Sequence, residues 1–283
     1  MSKPNVFFEP WLKFKTPIVR QLAFCIASTN IISKLPHDLI IHHPFELHEE
    51  NFWQQQYQAY EIRLFFLDHN PTELHDFLNQ LKSTRLGLRF EYLLWFWLRD
   101  QNYHDYELID HSIQIIEHKN TIGEIDFLVK NKLNQQIEHW EVALKYYLGE
   151  ANLSLKNWYG LNRDDTLIKK LNHFTQKQFQ FSSIKNIQID RKIAVLKGQF
   201  FLPFSYKIIP DWINLNRRLG HWGHTIPDSK WAYARLSRHE WLCPNKHNQR
   251  IASTWWSNDL FYSEKLNDYY MYRNHLLITK QHN

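Results

Sequence analysis

An α/β sandwich is the fold class that the 283-residue sequence predicts, and three observations lead to it. Between Glu107 and Leu148 apolar residues recur with a period of two, the signature of strands. On either side they recur at helical spacing instead. A further strand-like run, Arg191 to Leu196, follows the second helical segment. The order helix, three strands, helix, strand puts a sheet between helices, with a helical N-terminal addition and a Trp-rich C-terminal one. The expected division is residues 1–82, 83–200 and 201–283, the last packed on the core.

Residues 17–100 read as mostly helical. Pro17 suits a first turn, and Glu46 to Asp68 carries apolar residues at near-helical spacing. Asn70-Pro71-Thr72-Glu73 is a cap-plus-proline start for a short helix to about Lys82, and Ser83 or Thr84 can cap the next. That next helix, Arg85 to Leu98, is apolar almost all round and should be buried, with Glu91 in its middle. Strands are expected at 107–118, 124–130 and 137–148. They are joined by turns at Lys119–Gly123 and Asn131–Gln136, which makes an antiparallel meander. Asn162 can cap a helix to about Phe179, with Leu167, Leu171 and Phe174 as its apolar stripe.

Composition removes several function classes. With 7 Gly there is no G-x-x-x-x-G-K-[ST] or G-x-G-x-x-G to cradle phosphates. The two cysteines, Cys25 and Cys243, form neither a C-x-x-C pair nor a disulfide framework, so a reducing, cytoplasmic setting is expected. Lys3, Lys13, Lys15 and Arg20 interrupt the first thirty residues, which do not read as a signal peptide. No run approaches the roughly 18 apolar residues of a membrane span. The net charge of +5 and pI near 9.0 are compatible with a polyanionic partner. The 12 Trp read first as core filling, because Trp212, Trp222, Trp231, Trp241, Trp255 and Trp256 are too evenly spread for a base-stacking platform. Of the 17 His, His42-His43 and His221-Trp222-Gly223-His224 read as structural loop residues.

The chemistry-bearing pattern lies in the strands. Alternation along the third puts Trp140, Val142, Leu144, Tyr146 and Leu148 on a core face. Ile137, His139, Glu141, Ala143, Lys145 and Tyr147 fall on the other. Glu141 and Lys145 thus flank a gap of about 13 to 14 Å at most over the small Ala143. In the second strand Ile125, Phe127 and Val129 share one face and Glu124 and Asp126 the opposite one. If the turn pairs Lys130 with Ile137, Asp126 falls across from Glu141. Facing carboxylates repel unless a cation or proton lies between them, and oxygen donors of this kind suit Mg²⁺ or Mn²⁺. Metal-assisted phosphodiester hydrolysis fits, with Asp126 and Glu141 as ligands, Glu91 as a further ligand or supporting acid, and Lys145 stabilising developing charge. Lys169, Lys170, His173, Gln176 and Lys177 on the following helix can meet phosphates, although a solvated face is the default.

The segments Thr16–Ala23, Arg85-Leu86-Gly87 through Phe90-Glu91, Gly123–Val129, His139–Lys145, Gly160–Asp164 and Lys197-Gly198 resemble a bacterial family catalogued as a domain of unknown function. That family is assigned to the PD-(D/E)XK nuclease superfamily. The resemblance implies a restriction-endonuclease-like mixed sheet flanked by helices, with Glu91 as the helical acid, Asp126 as the metal-binding acid and Glu141 as the second. The superfamily pattern has Lys two residues after that acid, where this chain has Ala143; Lys145 keeps the same face. The expectation is a Mg²⁺- or Mn²⁺-dependent nuclease with catalytic residues Asp126, Glu141, Lys145 and Glu91. Its partner would be nucleic acid, DNA ahead of RNA, with no membrane. The alternative is a catalytically inactive nucleic-acid-binding or scaffolding protein of the same fold.

Overall fold

The computed structural model describes residues 7–118, 120–204, 208–245, 252–253 and 256–274. Lys119 and Trp255, named above in a turn and in the aromatic set, lie outside them.

Five helices form: α1 (Pro17–Ala27), α2 (Phe52–His69), α3 (Thr72–Leu78), α4 (Leu86–Arg99) and α5 (Leu167–Gln176). Pro17 opens α1, where its missing N–H costs nothing, and every later residue of α1 is buried. Helix does not continue through 28–51 as the spacing suggests. There the backbone is committed elsewhere: Glu46 makes a parallel bridge to Ile193, and the amides of His42 and His43 donate to Thr175 Oγ1 at 2.7 and 3.1 Å. Helix α5 is also shorter than expected. Its cap is Thr166, whose hydroxyl accepts from the Lys169 amide at 3.3 Å, while residues 162–165 form a loop.

The strands are β1 (Tyr106–Glu117), β2 (Asn120–Asn131), β3 (Ile137–Gly149), β4 (Trp158–Tyr159), β5 (Ser183–Ile184), β6 (Ile187–Gln188), β7 (Arg191–Pro203), β8 (Gly220–Gly223), β9 (Ala234–Arg235), β10 (Asp259–Ser263) and β11 (Asp268–Tyr272). Except for the β5–β6 hairpin they join one mixed sheet of order β1-β2-β3-β7-β8-β11-β10-β9, with β4 beside β3. The antiparallel meander is present, with Lys130 opposite Ile137. Thr121, Ile122 and Gly123, expected in a turn, are strand residues instead, because β1 and β2 pair out to Glu117 and Asn120. Strand β7 runs parallel to β3 along its length. The C-terminal segment adds β8–β11 in the plane of this sheet, and α1 reaches the same segment. Arg20 Nη2 donates to Asn245 Oδ1 at 2.9 Å, and Gln21 Nε2 to the His239 carbonyl at 3.4 Å.

Both faces of β3 are covered. Trp140, Val142, Leu144, Tyr146 and Leu148 pack with α1, α2 and α4, whereas Ala143 and Tyr147 pack with Leu167, Leu171 and Phe174 of α5. The alternation thus predicts the two faces correctly, but the second is a core face. Trp53, Trp97, Trp140 and Trp158 are fully buried, which bears out core filling for them, whereas Trp231 is 63% exposed. Gly198, with φ +125°, sits beside Lys145 in the β3–β7 ladder, where a Cβ would lie 1.8 Å from the Lys145 carbonyl oxygen. This close approach explains why position 198 is Gly.

Candidate active site

The β2–β3 ladder pairs Lys130 with Ile137 through to Phe127 with Trp140 and then stops. One step further, the Val142 amide donates to Asp126 Oδ2 at 2.8 Å, so a side chain takes over where the backbone ladder ends. Asp126 and Glu141 meet at this fork, close enough that the charge of Glu141 acts on Asp126. Burial is the main cause that raises both above the carboxylate range, and the charge of Glu141 pushes Asp126 further. Such a pair retains a proton unless a cation replaces it.

Glu141 is fully buried and its other partners are named donors. His139 Nε2 lies 2.6 Å from Oε1, and Gln178 Nε2 donates to Oε2. Burial lowers His139 to about 3, so its ring is neutral and its N–H is the donor when Glu141 is ionised. His139 Nδ1 is buried and has no hydrogen-bond partner among the described residues.

Glu91 comes from the middle of α4, as its position in the apolar run predicts, and is half-buried. It accepts from Ser112 Oγ at 3.3 Å and meets Asp126 through charge. Burial, then Asp126 and Glu124, raise it to about 7. Among the described residues no group of three or more His, Cys, Asp or Glu is placed to hold a metal, so Glu91 does not join the other two as a direct third ligand. Mg²⁺ commonly takes one or two carboxylates and completes its shell with water and phosphate oxygens, so Asp126 and Glu141 alone form a fitting donor set.

The raised Glu91 carboxyl has a measurable consequence. Between pH 4.5 and about 7 the folded chain holds the Glu91 proton while the unfolded chain has released it, so stability falls as pH rises through that window. The loss attached to Glu91 is about 2–3 kcal/mol. Glu91→Gln, neutral at every pH, should remove that part of the slope, as read from urea midpoints of the metal-free protein at pH 5 and pH 8. Equal slopes in parent and variant would show that Glu91 is unperturbed.

Lys145 is a quarter exposed, and its Nζ pairs with Asp165 Oδ2 at 2.7 Å, with Tyr147 Oη donating to Asp165 Oδ1 at 3.4 Å. The loop that delivers Asp165 closes through the Gly160 amide, which donates to the Asp165 carbonyl at 2.6 Å. The ammonium whose charge acts on both Asp126 and Glu141 is that of Lys170 on α5. Its Nζ donates to Gln178 Oε1 at 3.0 Å, which links it to Glu141 through the Gln178 amide. Lys169, His173, Gln176 and Lys177 are exposed, as a solvated face requires, but Lys170 is not. A signal was available: Lys170 falls three residues after Leu167 and four before Phe174, on the stripe that faces the sheet. Gln178 lies just past the helix and carried no signal.

Outside the site, His221 Nδ1 pairs with Asp268 at 2.9 Å, and His224 Nδ1 with the Arg273 carbonyl at 2.6 Å. Among the described residues no helix is long and apolar enough to cross a membrane. No curated protein and no solved structure matches the chain significantly. Residues 20–278 match the model of one family, and the chain belongs to it: the family described as a domain of unknown function, DUF1853.

Proposed function

We propose that this chain is a metal-dependent nuclease of the PD-(D/E)XK type on a restriction-endonuclease-like fold, hydrolysing phosphodiester bonds in nucleic acid. The observation that carries this reading is the Asp126–Glu141 pair at the fork of β2 and β3, with the Lys170 ammonium tied to Glu141 through the Gln178 amide. Asp126 and Glu141 would hold Mg²⁺ or Mn²⁺, which supplies polarisation of the phosphate and acidification of the attacking water. His139 and the Gln178 amide orient the Glu141 carboxylate, and the Val142 amide orients Asp126. Glu91, titrating near neutrality, can exchange a proton with water beside Asp126. DNA is the favoured substrate over RNA.

A second reading is a catalytically inactive nucleic-acid-binding or scaffolding protein. Ala143 at the usual lysine position favours it, as does Glu141, whose two oxygens already accept from His139 and Gln178. The readings separate when single-stranded, double-stranded and branched DNA and RNA are incubated with the protein and Mn²⁺, alongside a melting curve. The nuclease should cut at least one member of the panel and melt higher with Mn²⁺. Binding without cutting supports the second reading, and no Mn²⁺ shift removes the metal centre.

A further inference from the structure

We infer that Lys170, carried by α5 across the face of β3, supplies the ammonium that acts on the scissile phosphate, and that Lys145 does not. The inference rests on the nuclease reading and assigns one of its working parts. Three observations support it.

The first is space. Ala143 is 8% exposed and packs in one cluster with Leu167, Leu171 and Phe174, so the room above it is filled by α5 itself. A long side chain rooted at position 143 has nowhere to go. The small residue is where the helix sits down, and the helix brings its own lysine.

The second is commitment. Lys145 is held by Asp165 at 2.7 Å, and Asp165 also accepts from Tyr147. This pair ties β3 to the loop before α5, and so serves the placement of the helix. Lys170, in contrast, has no hydrogen bond to a carboxylate among the described residues; its recorded partner is the neutral carbonyl of Gln178 at 3.0 Å. Its charge is therefore not cancelled by a direct partner and acts on Glu141 and Asp126 together.

The third is linkage. Gln178 accepts from Lys170 and donates to Glu141, so one amide fixes the ammonium relative to the acid. Lys170 Nζ also lies over the Phe174 ring, 4.0 Å from its centre, a cation–π contact that restricts its motion. An ammonium held beside the acid pair stabilises charge developing on the phosphate oxygens without being a metal ligand.

The test compares the parent with Lys170→Met, Lys145→Met, Lys169→Met and Asp126→Asn. Cleavage of supercoiled plasmid and of mixed-sequence single-stranded DNA and RNA is followed with Mn²⁺, and Mn²⁺-dependent melting is measured for each protein. Lys170→Met should cleave at least a hundredfold more slowly, yet keep its Mn²⁺ shift, with the midpoint at an equal or lower Mn²⁺ concentration, because a neighbouring cation has been removed. A purely structural lysine would instead lose melting temperature and Mn²⁺ response together. Lys145→Met should lose less than tenfold in cleavage, and Lys169→Met, on the exposed side of α5, should stay within threefold. If Lys170→Met melts far below the parent, Lys170→Gln, which can still bond Gln178, is read in its place with the same expectations. Cleavage by both position-170 variants within threefold of the parent, with Asp126→Asn inactive, overturns the role of Lys170 and leaves the nuclease reading standing. A parent that cuts nothing and shows no Mn²⁺ shift overturns both.

Discussion

Asp126→Asn should abolish cleavage and the Mn²⁺ response while making the metal-free protein more stable. Asn keeps a carbonyl oxygen to accept from the Val142 amide, so the fork between β2 and β3 is preserved. It removes a carboxyl that burial, and then the charge of Glu141, hold above its ordinary range. Relief of that arrangement is worth about 1–3 kcal/mol, or about 3–8 °C in melting temperature for a chain of this size. Losing a ligand oxygen and its negative charge removes several kcal/mol of transition-state stabilisation, a fall of about a thousandfold or more in rate. Opposite signs for stability and activity are the mark of a site built against the fold's own preference. Scanning calorimetry with and without Mn²⁺, beside a cleavage assay, reads both. A variant less stable than the parent would mean that the carboxyl pair holds the fork together.

Trp140→Ala should cost more than about 4 kcal/mol, through two mechanisms. The indole is fully buried, with Tyr106 at 5.0 Å, Trp53 at 6.2 Å and Trp97 at 6.2 Å between ring centres, so truncation leaves a large void among rigid neighbours. Its N–H also donates to Glu138 Oε2 at 2.7 Å, and Glu138 is fully buried. Removing that donor leaves the carboxylate to Arg191 at 3.3 Å and Asn131 at 3.5 Å. Trp140→Phe separates the two, since it keeps most of the ring contact and loses the hydrogen bond; its cost should fall near 1–3 kcal/mol, by the range for an unsatisfied buried group of about that size. Urea denaturation of both variants gives the difference. Equal costs would show that Glu138, and not packing, dominates. Because Trp140 also ends the β2–β3 ladder opposite Phe127, the larger void should loosen the fork where Asp126 and Glu141 meet.

The meander was legible because its signal is local: Lys130 and Ile137 flank a short polar turn, and the alternation beyond it sorts Trp140 from Glu141 without further information. Glu91 was legible for a similar reason, as an acid in an otherwise apolar helix. What sequence could not supply was the partner of each face. Nothing near Ala143 says that α5 will lie on it, so Lys145 looked unopposed and Lys170 looked solvated. The same holds for 28–51, where helical spacing lost to distant partners, Thr175 and Ile193, that satisfy its backbone. The C-terminal strands were missed as sheet members because β8, four residues long, is flanked on both sides by parallel partners and shows no alternation to read.

That in-plane continuation bears on how the chain acquires its shape. Strand β7 needs β8, β8 needs β11, and α1 is bonded to His239 and Asn245 across separations of 218 and 225 residues. A nascent chain emerging from the ribosome therefore cannot close its central layer until Asp268–Tyr272 has been made. Until then the far side of β7 presents unsatisfied amides and carbonyls, and α1 lacks the segment that covers it. Folding should be late, governed by non-local closure, and slow on the scale of chains with mostly neighbouring contacts.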